Sequence, residues 1–147
     1  MINRSHLDLL FDELWPEMPF FAENKANCID KFEAIEKCFR KFKDIDDNAL
    51  LESLCALDGI GVTIASGLIW TVDQEARVPL DRFTYTYALF NEWIPGLKLK
   101  GNYVKFSEKI CAACKAKNMS IEAFVREARE KLKQKSIPEV SMMEPAL

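Results

Sequence analysis

A chain of 147 residues is long enough to bury a core as one domain, without disulfide or metal staples. Hydrophobic residues make up 49% of it and charged residues 29%, a balance that excludes an intrinsically disordered protein. No uncharged stretch reaches the roughly 18 residues of a membrane helix, and no signal peptide is recognisable, so we expect a cytoplasmic protein without membrane contact.

The net charge of −3 is unevenly distributed along the chain. Residues 98–135 hold eleven Lys or Arg against four Glu, so the remainder is strongly acidic. This polarity predicts one basic face, although lysine-rich helix surfaces are also ordinary. The five cysteines are an odd number and lie mostly at apolar positions of helical patterns, which favours reduced core residues over a disulfide framework.

The N-terminal third predicts two helices. Residues 4–14 form a short amphipathic stretch that Pro16 and Pro19 should end. A stripe of apolar residues at helical spacing, from Cys28 to Phe42, then predicts a single surface helix with one face on the core.

The middle of the chain predicts three more helices. Asp46 and Asp47 are N-cap candidates for the first of them. The second, residues 62–72, is apolar nearly all round and should be buried. For the third, Asp81 is the expected N-cap, and the helix should run to about Trp93.

The C-terminal third predicts two helices and a tail. The helices cover about residues 102–117 and 121–135, with Ser120 as the cap between them. Strand signals are absent. We therefore predict an all-α protein, a compact helical domain of about six to seven helices over residues 1–136, with a flexible tail at 137–147.

The most informative stretch is the turn before the buried helix, Leu57-Asp58-Gly59-Ile60-Gly61. Glycine at 59 and 61 permits backbone angles that a Cβ would forbid. Such a turn leaves the amides of residues 60–63 unpaired at a helix N-terminus, where amides and the helix dipole favour a phosphate. The predicted phosphate-binding residues are Gly59, Ile60, Gly61, Val62 and Thr63.

This segment resembles the helix-hairpin-helix motif, over about residues 47–72, and the likeness extends to DNA glycosylases of the endonuclease III-like superfamily. In that family a Leu-Pro-Gly-Val-Gly hairpin is followed by a buried helix, a loop, and a hydrophobic-Asp pair that opens the next helix. Here the hairpin begins at Leu57, and Val78-Pro79-Leu80-Asp81 supplies the later pair at the same interval. The resemblance covers roughly residues 50–90 and implies a compact, divergent bacterial-type member.

The resemblance implies that Asp81 is a catalytic carboxylate, which activates the nucleophile or stabilises the cationic sugar as a base departs. The alternative reading of Asp81 is a helix cap alone. Bifunctional members carry a Schiff-base lysine where this chain has Thr63, so any enzyme here would be a monofunctional DNA glycosylase. Cys111 and Cys114 give one Cys-x-x-Cys pair without further ligands, so we expect neither an iron–sulfur cluster nor another metal or cofactor.

The expected partner is double-stranded DNA, bound through its phosphates. Arg82, Lys105 and Lys109 are further candidates for phosphate contacts. Three functions stay open: base-excision DNA repair by hydrolysis of an N-glycosidic bond, non-catalytic DNA binding, and a protein-interaction module that has lost nucleic-acid binding. The acidic balance of the whole chain would allow the third, with a protein partner.

Overall fold

The computed structural model describes residues 1–16 and 21–143, and within these ranges it contains eight α-helices, one π-helical segment and no β-strand. The all-α prediction is confirmed. None of the helices in the described part is long and apolar enough to cross a membrane. The helices are α1 Arg4–Asp8, α2 Phe21–Asp30, α3 Phe32–Phe42, α4 Asp47–Cys55, α5 Val62–Val72, α6 Arg82–Phe90, α7 Tyr103–Ala116 and α8 Ile121–Leu132.

The predicted N-terminal helix is confirmed, with a change of pitch inside it. After α1 the chain continues as a π-helical segment, Leu9–Leu14, which ends just before Pro16. Its residues Leu10 and Phe11 are fully buried. Pro19, the second predicted breaker, lies outside the described residues.

The prediction of one helix from Cys28 to Phe42 is wrong, because the chain is helical from Phe21 and breaks at Lys31. Lys31 has φ −98° and ψ 15°, outside the helical region, and separates α2 from α3. The two helices have different partners: α2 packs on the N-terminal helix, whereas α3 packs on α4. The apolar stripe does not reveal this break, because apolar residues recur at helical spacing on both sides of it.

Helix α5 is the centre of the fold, as its sequence predicts. Nine of its eleven residues are buried. Gly67 is small for a packing reason, because a Cβ there would lie 2.7 Å from both Leu10 and Trp15 side-chain atoms. Trp70 and Ser66 on the same helix are also completely enclosed.

The C-terminal helices complete the core. Ser120 caps α8 by accepting a hydrogen bond from the Ala123 amide, as predicted. Helix α6 ends at Phe90 rather than near Trp93, and Glu92 adopts a left-handed φ of 60° that no helix can continue. The five cysteines are free thiols, as expected.

Residues after α8 return to the domain. Ile137 packs beside Phe83, and Val140 and Met142 pack against the main core. The Lys100 amide donates a hydrogen bond of 3.0 Å to the Met142 carbonyl. These contacts place the described part of the tail on the surface of the helices, while its predicted flexibility concerns motion and stays a prediction.

An ion cluster joins the loop between α5 and α6 to the start of α4. Asp47 Oδ2 accepts from Arg77 Nε at 2.8 Å and from Lys43 Nζ at 3.0 Å, and its side chain is 3% exposed. Asp46 is the N-cap of α4, through hydrogen bonds from the Asn48 and Ala49 amides. Of the two predicted cap candidates, Asp46 is therefore the cap and Asp47 the ion-pair partner.

Candidate nucleic-acid site between the starts of α5 and α6

The first turns of α5 and α6 open onto one cavity of about 510 Å³. Helix α8 supplies Arg129 to its wall, and the C-terminal segment supplies Glu139 and Val140. Six of the sequence-predicted site residues meet here: Gly59, Gly61, Val62, Thr63, Asp81 and Arg82. The cavity has the size of an ordinary small-ligand site, which ranges from about 300 to 1,000 Å³.

The two glycines of the turn have different reasons to be glycine. Gly59 has φ +78°, the left-handed region, and a Cβ there would lie 2.7 Å from Asn27 Nδ2. Asn27 Nδ2 in turn donates to the Asp58 carbonyl at 3.2 Å, so α2 holds the turn. Gly61 has φ −96° and ψ −174°, an extended backbone open to any residue, with no heavy atom within 4 Å of a Cβ. The prediction that both glycines are needed for their backbone angles is therefore correct for Gly59 and wrong for Gly61.

The amide donors of the turn are fewer than predicted. The Ile60 N–H donates to the Leu57 carbonyl at 3.1 Å, and the Ile60 side chain is buried, so the prediction of a free amide at Ile60 is wrong. Gly61 is the N-cap of α5 and offers no side-chain cap. The first-turn amides at Val62 and Thr63 have no partner inside the helix, and both residues line the cavity. These amides and the helix dipole favour an anion at this end of the cavity.

Asp81 lies opposite this turn and caps α6. Its Oδ1 accepts hydrogen bonds of 2.8 Å from the Phe83 and Thr84 amides. Thr84 Oγ1 accepts from the Asp81 amide at 2.9 Å, which completes a capping box. Both cap amides donate to Oδ1, so Oδ2 takes no part in these two hydrogen bonds. The residue is 4% exposed. Asp81 is therefore a nearly buried helix cap that also forms part of the cavity wall.

Burial is the largest influence on the charge of Asp81 and raises its pKa above the ordinary value. The amide of Thr84, the guanidinium of Arg129 and the amide of Phe83 act in the opposite direction and limit the rise. Arg129 is a residue that the sequence analysis did not select. No sequence pattern marks it, because it comes to Asp81 only when α8 packs across α6.

Two guanidinium groups flank the first turn of α6. The Cζ atoms of Arg82 and Arg129 each lie 5.0 Å from the centroid of the Phe83 ring. Stacking on an aromatic ring restrains a guanidinium and leaves its N–H donors for an acceptor. Both arginines line the cavity, so it contains positive charge as well as the amides of α5.

The loop before Asp81 is held to α5 and α7 by hydrogen bonds. Ser66 Oγ, buried on α5, accepts from the Leu80 amide at 2.7 Å. The Tyr103 hydroxyl, on α7, donates to the Val78 carbonyl at 2.7 Å. These bonds position Asp81 beside the α4–α5 turn.

The remaining predicted phosphate ligands have different environments. Arg82 Nη1 lies 3.4 Å from Glu139 Oε1, an ion pair with the C-terminal segment. Lys105 and Lys109 are exposed on α7 and do not belong to the cavity wall. The structure therefore brings Arg82 to the site and leaves the two lysines on a separate surface.

In comparisons with known proteins, no protein-family model, no curated protein and no solved structure matches this chain. The function is therefore argued from the geometry of this cavity.

Proposed function

We propose that the protein binds double-stranded DNA at the α4–α5 turn and hydrolyses the N-glycosidic bond of a modified base, with Asp81 as the catalytic carboxylate. The observation that carries this proposal is that the glycines of the turn and Asp81 line one cavity. An acid that only capped a helix would not need to share a cavity with a phosphate-binding turn.

The DNA-binding part of the proposal rests on the start of α5. The amides of Val62 and Thr63 offer donors to a backbone phosphate, and Gly61 leaves room for that phosphate to approach. Arg82 and Arg129 add charge on the other side of the cavity. These features agree with the resemblance to the helix-hairpin-helix motif, in which such a turn holds the backbone of a duplex.

The chemical part rests on Asp81. A base turned out of the stack would enter the cavity at a cost of a few kcal/mol, recovered by contacts with its walls. As the bond between C1′ and the base nitrogen breaks, Asp81 Oδ2 stabilises the cationic sugar and takes a proton from the attacking water. The water oxygen bonds to C1′, and the base leaves with the electron pair of the broken bond. The base then receives the proton that Asp81 took from the water, which restores the carboxylate. Thr63 cannot form an imine, so the reaction stops at an abasic site.

Non-catalytic DNA binding is the second candidate, and a specific observation favours it. The carboxylate of Asp81 is engaged by two amides and is nearly enclosed, which accounts for an aspartate at this position without any chemistry. Under this reading the cavity holds a phosphate and no base.

The experiment that tests the proposal is a glycosylase assay on duplexes that each carry one modified base, with the intact chain and with Asp81→Asn. Asparagine keeps the amide-accepting oxygen and is as good an N-cap as aspartate, so the fold is retained. We expect product from the intact chain and a loss of at least about 100-fold in Asp81→Asn, the usual range for removing an acid–base group.

Thr63→Ala serves as a matched control, because it changes the same cavity without touching the carboxylate. Equal activity in the intact chain and in Asp81→Asn contradicts the catalytic role. If neither has activity while both bind duplex DNA, the non-catalytic function replaces the proposed one.

A further inference from the structure

The C-terminal segment forms part of the wall of the same cavity. Glu139 and Val140 line it, and Ile137 packs beside Phe83 near the start of α6. The hydrogen bond between the Lys100 amide and the Met142 carbonyl attaches the segment to the α6–α7 connection. The two lining residues therefore lie between two points of attachment to the helical domain.

A polar contact between these two points of attachment joins Glu139 to Arg82. The Glu139 carboxylate lies 3.4 Å from the guanidinium that the cavity would offer to a phosphate. A carboxylate and a phosphate each present two oxygen acceptors that fit the fork of N–H groups on a guanidinium. A phosphate that bound Arg82 through the same N–H donors would therefore displace the Glu139 carboxylate.

We propose that residues 137–142 are an internal competitor of the DNA backbone, in which the Glu139 carboxylate occupies the phosphate position at Arg82 until DNA displaces it. This inference rests on the proposed DNA binding and adds a regulation to it: the site is partly closed by its own chain. Among the described residues, the segment is attached by side-chain packing, one ion pair and one backbone hydrogen bond, so we expect its displacement to leave the helices unchanged.

The ion pair between Glu139 and Arg82 is a weak restraint. The Glu139 side chain is 71% exposed and that of Arg82 is 42% exposed, so solvent and salt screen their attraction. An exposed pair of this kind shifts an equilibrium by a factor of about two to five. The segment therefore lowers the affinity for DNA without preventing binding.

The test uses the full chain and a fluorescent mixed-sequence DNA duplex, with binding followed by anisotropy at several salt concentrations. Glu139→Gln should bind about two to five times more tightly than the wild type at low salt, with the gain fading as salt rises. Glu130→Gln is the matched control: it removes one exposed carboxylate from α8, where Glu130 pairs with Lys133, outside this cavity. The control should change affinity clearly less than Glu139→Gln.

Two further measurements separate competition from a general charge effect. In an Arg82→Gln background, Glu139→Gln should produce no gain, because the contact that it relieves no longer exists. On addition of DNA, hydrogen exchange at the Lys100 amide should accelerate as its bond to Met142 is lost.

The outcomes distinguish this inference from the proposed function. If the wild type binds DNA while Glu139→Gln and Glu130→Gln behave alike, the competitor is rejected and DNA binding stands. If the wild type does not bind DNA, and if Glu139→Gln and Val140→Ser, which loosens the segment, do not bind either, both proposals are overturned. A released site would then still have no affinity for DNA.

Discussion

Two aspartates at helix starts are buried to almost the same degree, yet their carboxylates have different hydrogen-bond partners. Asp47, at the start of α4, is 5% exposed and has Arg77 and Lys43 on one carboxylate oxygen, at 2.8 and 3.0 Å. Asp81, at the start of α6, is 4% exposed and is held by two backbone amides beside an open cavity.

The two acids differ in what compensates their burial. The charge of Asp47 is balanced by cations from α3 and from the α5–α6 loop, so it joins segments that the chain must hold together. Burial would lower the pKa of Lys43, but the hydrogen bond and charge of Asp47, with help from Asp73, outweigh it and raise that pKa. Asp81 has a raised pKa and lines a cavity, and perturbed carboxylates in cavities are candidates for function.

The largest effect should come from removing the charge of Asp47. Asp47→Asn leaves two nearly buried cations without their main partner, so we expect a loss of about 3 kcal/mol in the free energy of unfolding. Asp81→Asn keeps its cap and should lose less than about 1 kcal/mol. Urea denaturation of both variants measures the contrast. Similar losses in the two variants would remove the distinction between a structural and a functional aspartate.

The two glycines of the turn extend the comparison from acids to backbone. Gly59→Ala should cost about 1 to 2 kcal/mol, the price of a left-handed alanine, with further crowding against Asn27. Gly61→Ala should leave the free energy of unfolding within about 0.5 kcal/mol, because its backbone is extended and its surroundings are open.

If DNA binds as proposed, we expect a severalfold loss of affinity in Gly61→Ala, since the added methyl would stand in the open space where the proposed phosphate would approach. Anisotropy with the duplex used above measures it. Unchanged affinity in a stable Gly61→Ala variant would show that no backbone phosphate comes close to this residue.

The charge state of Asp81 gives a smaller, pH-dependent effect. Burial raises its native pKa above the unfolded value, so its contribution to stability is present below the unfolded pKa and is lost as pH rises through the native pKa. Arg129→Gln removes a charge that lowers this pKa and should raise it further. Carboxyl-carbon NMR titration measures the shift directly. If the titration midpoint of Asp81 is the same in the wild type, in Arg129→Gln and in Arg129→Lys, the guanidinium does not act on Asp81.

The smallest effect should come from α7. Lys105 and Lys109 lie outside the cavity, so Lys105→Gln and Lys109→Gln should change the salt dependence of DNA binding less than Arg82→Gln does. In Arg82→Gln, the slope of log affinity against log salt should decrease by the equivalent of about one phosphate contact. Plots of log affinity against log salt provide the measurement. A larger change from the lysines would place the DNA on α7 instead.

Much of the fold and part of the site follow from local sequence rules. The boundaries of α5, the caps at Asp46, Asp81 and Ser120, and the left-handed Gly59 were all predictable, because each depends on neighbours within a few residues. The break at Lys31 was not, since it depends on which helices α2 and α3 contact.

What the sequence alone determined is the local chemistry: a glycine turn before a buried helix, and an aspartate that starts the next one. Only the tertiary structure decided that this turn and this aspartate share a cavity, that Arg129 comes to Asp81 from α8, and that Glu139 returns to Arg82 from the C-terminal segment. The physical reason is the distance along the chain between the interacting residues. Caps and turns are satisfied within one helical turn of sequence, whereas these charges meet because distant helices bury their apolar faces against each other.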